Sequence, residues 1–245
     1  MTSRSSMGGY WQPASDQADD VRVLTRNADL VELKLLVPDG GPVRGQARKV
    51  YFLDTPELDL KHHGIVVRVR ERAGRPDDVV VKLRPMHTRT VPGWLRRAPG
   101  FHVEVDAMPG RYVCSGALKR RLDKGSVARA LAEGKPLTSL LSARQRRLLA
   151  AYAPRELGDL TTFGPVEARK RRVRVRDVTL AAERWVYPDG SALLELSTKC
   201  PVDEAAAVSA RVSRALRKDG IEPAEIQHTK TELALAGAAA GTSAA

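Results

Sequence analysis

The sequence predicts an α+β protein whose main element is an antiparallel sheet. Six segments alternate apolar and polar residues with the period of two that a half-buried strand requires. The turn residues Pro188-Asp189-Gly190 separate the last two segments, and such a short turn favours antiparallel pairing. The alternating segments are LVELKLLV, GIVVRVRER, DDVVVKLRP, FHVEVDA, RRVRVRDVTLAAERWVY and ALLELSTK.

Helical periodicity replaces this alternation in two other places. Leucines at helical spacing predict a helical insertion over about residues 115–152, between two halves of the sheet. A further helix is expected through AAAVSARVSRALRKD, with Asp203 as its N-cap and Gly220 at its C-terminal end. A short final strand is expected near IQHTKTELAL.

The chain of 245 residues is expected to form one domain over residues 21–236. Residues 1–20 and 237–245 are polar or small and lack periodicity, so both segments are predicted to be disordered. No apolar run reaches the length of a membrane span and no secretory signal opens the chain, so we expect a cytoplasmic protein without a membrane partner. Cys114 and Cys200 are expected to be reduced thiols.

The charge balance is strongly basic, with 41 Lys and Arg against 29 Asp and Glu. Two segments, residues 117–152 and 167–176, concentrate the excess. A basic surface permits nucleic-acid binding, but an aromatic content of 4% leaves few rings for base stacking. Nucleic acid is therefore kept as an alternative partner and is not favoured.

Each predicted strand has one charged face, because residues two apart share a face. Arg68 and Arg70 oppose Val67 and Val69, for example. The charged face could lie in water, as in an ordinary antiparallel sheet, or a curled sheet could enclose it as a lumen. An enclosed lumen lined by cations would bind a polyanion, and its carboxylates would hold a hard divalent ion.

In their order along the chain, these segments resemble the CYTH family of triphosphate tunnel metalloenzymes. The resemblance covers roughly residues 29–235 and implies an eight-stranded antiparallel β-barrel around a hydrophilic tunnel, with a helical insertion and flanking helices. The matching motifs are VELKLLV, YFLDTPELDLKHHGIVVRVRER, VVVKLRP, VEVDA, LLSARQRRLL, Lys170-x-Arg172, AERWVYPDGSALLELSTK and Lys230.

The resemblance also implies roles for individual residues of this chain. The residues expected to be catalytic are Glu32, Lys34, Glu104 and Glu183. The residues expected to bind substrate phosphates are Lys34, Arg68, Arg70, Lys82, Arg84, Lys170, Arg172 and Lys230. The residues expected to bind Mg²⁺ or Mn²⁺ are Glu32, Glu183 and Glu195.

The activity that the resemblance implies is metal-dependent hydrolysis of inorganic triphosphate, thiamine triphosphate or a nucleotide. Two positions depart from the family pattern, since Leu30 and Ser197 stand where carboxylates are expected. His102 also replaces a basic residue, which makes that donor's charge depend on pH. The alternatives are a weak or inactive protein that binds triphosphate or polyphosphate, and a class IV-like adenylate cyclase.

Overall fold

Nine strands close into a barrel in the computed structural model, which describes residues 8–14, 17–26, 28–86, 91–154 and 158–242. The strands are β1 (Leu30–Val37), β2 (Gln46–Asp54), β3 (Ile65–Arg72), β4 (Asp78–Leu83), β5 (Phe101–Met108), β6 (Arg111–Arg121), β7 (Thr161–Val175), β8 (Val178–Val186) and β9 (Ala192–Cys200).

The order of strands around the barrel is β1, β5, β6, β4, β3, β2, β7, β8 and β9. Strand β1 closes the ring, because it pairs antiparallel with β9 and parallel with β5. The other neighbouring pairs are antiparallel. The predicted α+β barrel is confirmed, with one strand more than the expected eight and one parallel pair.

The additional strand, β6, corrects the predicted start of the helical insertion. Residues 115–121 belong to β6, and the first helix after it begins at Ser126. Small residues hide the alternation of this strand in the sequence. One of them, Gly116, packs closely against Met86, since a Cβ at this position would lie 2.3 Å from Sδ of Met86 and the methionine side chain would have to move.

Most of the helices cover the outside of the barrel because the outward faces of its strands are apolar, whereas the last helix packs on a separate cluster with Phe52 and Trp185. Val67 and Val69 of β3 belong to one buried cluster with Trp11, Leu148 and Leu216 from outside the sheet. The helices are α1 (Ala18–Thr25), α2 (Asp59–His62), α3 (Gly93–Arg96), α4 (Ser126–Ala132), α5 (Ala143–Tyr152), α6 (Ala205–Lys218) and α7 (Lys230–Thr242).

Helix α7 replaces the strand predicted near IQHTKTELAL. It begins with a capping box, in which the Glu232 amide donates to the Thr229 hydroxyl and the Thr229 amide donates to the Glu232 carboxylate. The predicted cap of α6 is also corrected. Asp203 lies in a short 3-10 turn, and Glu204 takes the N-cap position without a side-chain cap bond.

The structure describes secondary structure within both of the ends predicted to be disordered. Gly9–Trp11 forms a 3-10 turn on α6, where the Tyr10 amide donates to the Ser213 hydroxyl at 2.9 Å and Trp11 is buried. Helix α1 also begins inside the segment 1–20, and α7 continues to Thr242. Residues 1–7, 15–16 and 243–245 lie outside the described residues.

Two further expectations concern the state of the cysteines and the absence of a membrane-spanning helix. Cys114 and Cys200 are both buried and free, as expected. Among the residues that the structure describes, no helix combines the length and apolar character needed to cross a bilayer. The cytoplasmic location stays a prediction.

Candidate functional site

The charged faces of the strands point into the barrel, so the enclosed arrangement is the one that this fold adopts. Alternation along β1 and β3 places Lys34 and Arg68 inside, opposite the buried apolar residues of the outer face. Two of the predicted phosphate-binding residues are placed differently. Lys230 is the first residue of α7 and reaches into the barrel from there, and Arg172 is exposed at the rim of the barrel.

Three carboxylates meet where β1 lies beside β5. The side-chain oxygens of Glu32, Glu104 and Asp106 lie within 4.8 Å of one another. This grouping depends on the parallel register, which sets Glu32 opposite Asp106. An all-oxygen donor set of this kind suits Mg²⁺ or Mn²⁺, so these residues could hold the expected metal.

Lysine and arginine side chains neutralise this carboxylate cluster. Asp106 is fully buried and pairs with Lys34, with Lys82 at 2.7 Å and with Arg84 at 3.1 Å. Burial alone would raise the pKa of Asp106, but these cations outweigh it and hold the pKa well below its usual value. The low pKa keeps Asp106 anionic at neutral pH, and a metal would have to compete with these cations for its oxygens.

Glu183 and Glu195 form a second group of carboxylates, joined by Lys230. Both accept from the Lys230 ammonium, at 2.7 and 2.8 Å. Arg48 and Lys170 approach Glu183 at 3.4 and 3.7 Å. Of the predicted metal ligands, Glu32 lies with Glu104 and Asp106 in the carboxylate cluster, whereas Glu183 and Glu195 share the Lys230 ammonium.

The Nε of Arg68, like that of Arg48, is buried and has no hydrogen-bond partner among the described residues. Burial lowers the pKa of Arg68 to about 10, and the neighbouring Arg70 contributes to this shift. A buried guanidinium with an unused donor is costly in a ligand-free protein. It is the arrangement expected of a residue that receives an anionic ligand.

Arg70, also predicted to bind phosphate, is already engaged by a carboxylate. Its Nε and one terminal nitrogen donate to Asp78 at 2.7 and 3.0 Å, as a forked pair. Arg72 and Lys119 lie 3.7 and 3.5 Å from the same carboxylate. A phosphate ligand would therefore have to compete with Asp78 for Arg70.

The barrel contains two separate cavities. The first, which we call the deep cavity, has a volume of about 420 Å³, and Thr229–Glu232 at the start of α7 line one side of it. The predicted phosphate-binding residues that line it are Lys34, Arg68, Lys82, Arg84 and Lys230. The second, which we call the mouth cavity, has a volume of about 810 Å³ and is lined in part by Glu32, Lys170 and Arg172.

Sequence reasoning missed several residues of this site. Asp106 shares the charged face of its strand with Glu104, and that spacing could have identified it. Lys199 pairs with Glu104 at 2.6 Å and with Glu32 at 3.6 Å, and it follows Glu195 on the same face. Arg48 had no comparable signal, because QARKVYFLD does not alternate clearly.

Acid should weaken the contribution of Glu104 to stability. Burial would raise the pKa of Glu104, but Lys82 and Lys199 hold it at about 2, below its ordinary value of 4.5. The Glu104 carboxylate therefore stabilises the fold above pH ~4.5, and this stabilisation is lost as the pH falls towards 2. We expect the difference in unfolding free energy between wild type and Glu104→Gln, on the order of 2–3 kcal/mol at pH 7, to shrink by pH ~3.

Urea unfolding at the two pH values tests this expectation. Glu225→Gln, at an exposed glutamate, is the matched control and should differ little from wild type at either pH. A difference between wild type and Glu104→Gln that stays constant with pH would contradict the proposed ion pairing.

Comparison with known proteins finds the same fold at low sequence identity. No protein-family model matches the sequence, and no curated protein matches it. HpAC1 from Hippeastrum, described as a proposed adenylyl cyclase with a dominant triphosphatase activity, is similar with a TM-score of 0.59 at 16% identity, over 85% of this chain and 95% of its own. A proposed adenylate cyclase from Bacillus halodurans is similar with a TM-score of 0.53 at 14% identity, over 84% and 96%. These likenesses establish the fold over nearly the full length of both proteins.

Proposed function

We propose that the protein is a CYTH-type triphosphate tunnel enzyme that hydrolyses a triphosphate with the help of Mg²⁺ or Mn²⁺. The observation that carries this proposal is a closed barrel whose inner face combines buried cations with three converging carboxylates. A triphosphate carries about four negative charges, and enclosing it requires cationic donors around each phosphoryl group. The triphosphatase activity described for the Hippeastrum protein agrees with the proposal.

The chain's own residues would act mainly by electrostatic stabilisation. Arg68, Lys34 and Lys82 line the deep cavity, where their charges would neutralise the transferring phosphoryl group. A metal held by Glu32, Glu104 and Asp106 would polarise phosphoryl oxygens and make a bound water more acidic. The enclosed barrel limits the access of bulk water, which strengthens each of these interactions.

The Lys82 ammonium would contact both the carboxylate cluster and the bound substrate. It donates to Glu104 at 3.0 Å and to Asp106 at 2.7 Å. A phosphoryl group that attracts the Lys82 ammonium would free oxygens of both carboxylates. Substrate binding would thus prepare the carboxylate cluster to hold a cation.

Two alternatives follow from particular observations. Leu30 and Ser197 face Glu104 and Lys34 in the sheet and contribute no carboxylate, which favours a protein that binds triphosphate with little turnover. The likeness to the Bacillus halodurans structure favours ATP cyclisation, in which a ribose hydroxyl replaces water as the nucleophile.

The test is a substrate panel of inorganic triphosphate, thiamine triphosphate and ATP. Phosphate release is measured with Mg²⁺, with Mn²⁺ and with a chelator, and cyclic AMP is followed in the ATP reactions. We expect metal-dependent phosphate release from at least one substrate. Thermal stabilisation by triphosphate without turnover would establish the binding protein instead, and cyclic AMP formation would establish the cyclase.

A control variant excludes a contaminating phosphatase. Arg169→Gln changes an exposed arginine on β7, next to the inward-facing Lys170, and should retain full activity. Lys82→Ala should lose most of it. Equal activity of both variants would contradict the assignment of the reaction to the barrel interior.

A further inference from the structure

The mouth cavity is a second cationic compartment, distinct from the deep cavity in which Arg68, Lys34 and Lys82 lie. Its lining shares no residue with the lining of the deep cavity. The two cavities adjoin at β1, where Glu32 lines the mouth cavity, Lys34 lines the deep cavity, and their charged groups lie 3.2 Å apart. The cationic residues of the mouth cavity include Arg48, Arg75, Lys170, Arg172 and Lys199.

Arg48 shows that this compartment is built to receive an anion. Its side chain is only 10% exposed, and its Nε has no hydrogen-bond partner among the described residues. The terminal nitrogens make only long contacts, to Glu183 at 3.4 Å and to Gln46 at 3.2 Å. Such a buried and incompletely paired guanidinium is stabilised when a phosphoryl oxygen accepts from it.

The surroundings of Arg48 are also electropositive. Strand β2 lies between β3 and β7, and the register sets Arg48 directly opposite Arg72. Lys170 lies on the inner face of β7. Its ammonium is 3.7 Å from Glu183, and a terminal nitrogen of Arg48 is 3.4 Å from the same carboxylate. Arg172 makes no ion pair with any described residue. An incoming anion would relieve the repulsion among these cations.

The composition of both linings indicates which kind of anion fits. No Phe, Tyr or Trp is among the described residues that line either cavity. A nucleobase or the rings of thiamine would normally stack on an aromatic side chain. A ligand made only of phosphoryl groups needs no such partner, and cations line both compartments.

We propose that the mouth cavity is a second anion subsite, centred on Arg48, which binds the further phosphoryl groups of a linear inorganic polyphosphate longer than triphosphate. The deep cavity would hold one end of this chain, and the remainder would pass Glu32 and Lys34 to reach Arg48. The inference rests on the proposed function, because it extends the same tunnel site. The expected substrates are therefore inorganic polyphosphate chains, in preference to nucleotides.

The experiment compares chain lengths by isothermal titration calorimetry in the presence of a chelator, which prevents metal-dependent turnover. The ligands are inorganic triphosphate, tetraphosphate, a longer size-selected polyphosphate, and ATP. We expect wild type to bind the longer chain at least about tenfold more tightly than triphosphate, as one additional charge-assisted hydrogen bond would provide. ATP should bind no more tightly than triphosphate.

Two variants and a control test whether the gain in affinity with chain length comes from the mouth cavity. Arg48→Gln should lower the affinity for the longer chain at least about tenfold more than the affinity for triphosphate. Arg172→Gln, at an exposed rim position, should act in the same direction if Arg48→Gln fails to fold. Arg169→Gln on the outer face of β7 should keep the full gain.

The remaining outcomes would overturn either the second subsite or the proposed function. An equal gain with chain length in the Arg48 and Arg172 variants would overturn the second subsite, and so would ATP binding more tightly than the longer chain. Wild type that binds triphosphate but gains nothing from added phosphoryl groups would overturn the inference and leave the proposed function intact. Wild type that binds no triphosphate in this titration and also releases no phosphate from the substrate panel with Mg²⁺ or Mn²⁺ would overturn the proposed function itself.

Discussion

Arg68→Met is expected to weaken triphosphate binding strongly and, at the same time, to stabilise the ligand-free protein. Arg68 is buried inside the barrel with an unused Nε donor, so its charge is poorly compensated until an anion arrives. Methionine has a similar volume and no charge to desolvate. We expect about a 100-fold loss of affinity for triphosphate and a gain of about 1 kcal/mol in unfolding free energy, or about 2–4 °C in melting temperature.

Calorimetric titration with inorganic triphosphate and thermal unfolding without ligand measure the two effects. Arg169→Met provides the control, since this arginine is exposed on the outer face of β7. It should change neither quantity appreciably. A variant of Arg68 that melts earlier than wild type and still binds triphosphate normally would show that Arg68 has a structural role.

Asp106→Asn is expected to produce the largest loss of stability at the site. The substitution conserves shape and removes the charge that Lys34, Lys82 and Arg84 share in the interior. Breaking a buried ion pair by neutralising one partner typically costs about 3–5 kcal/mol, because the other charges stay buried. A decrease of about 10 °C in melting temperature would correspond to this cost.

The same variant separates an electrostatic effect from simple misfolding. Added inorganic triphosphate should raise the melting temperature of Asp106→Asn more than that of wild type, because the anion replaces part of the negative charge that Lys34, Lys82 and Arg84 lose with Asp106. Asp203→Asn, at an exposed aspartate outside the barrel, should behave as wild type. An Asp106→Asn protein as stable as wild type would mean that the three cations are compensated elsewhere.

Local patterning was sufficient to identify most strands and the charged face of each. The alternation in GIVVRVRER and DDVVVKLRP correctly places Arg68 and Lys82 opposite the apolar residues that pack under the helices. It failed at β6, where small residues mask the period, and at α7. There the capping box of Thr229 and Glu232 was a readable signal for a helix.

Which charges meet inside the barrel depends on contacts between distant parts of the chain. Glu32 reaches Asp106 only because β1 pairs in parallel with β5, and Lys230 reaches Glu183 and Glu195 only because α7 packs at the barrel. Of the metal set expected from the sequence, Glu32 joins the carboxylate cluster, and Glu183 and Glu195 share Lys230. Alternation cannot specify such pairings, since it reports the face of a residue and not its neighbours across strands.

The sequence by itself determined the class of fold, the charged face of each strand and the identity of most inward-facing cations, because these follow from a period of two residues. The tertiary structure alone decided that the charged faces enclose a lumen, that Asp106 completes the carboxylate cluster, and that Arg48 and Arg68 keep unused donors. The physical reason is that closure and pairing arise from long-range contacts between strands, whereas amphipathic patterning is encoded within each strand.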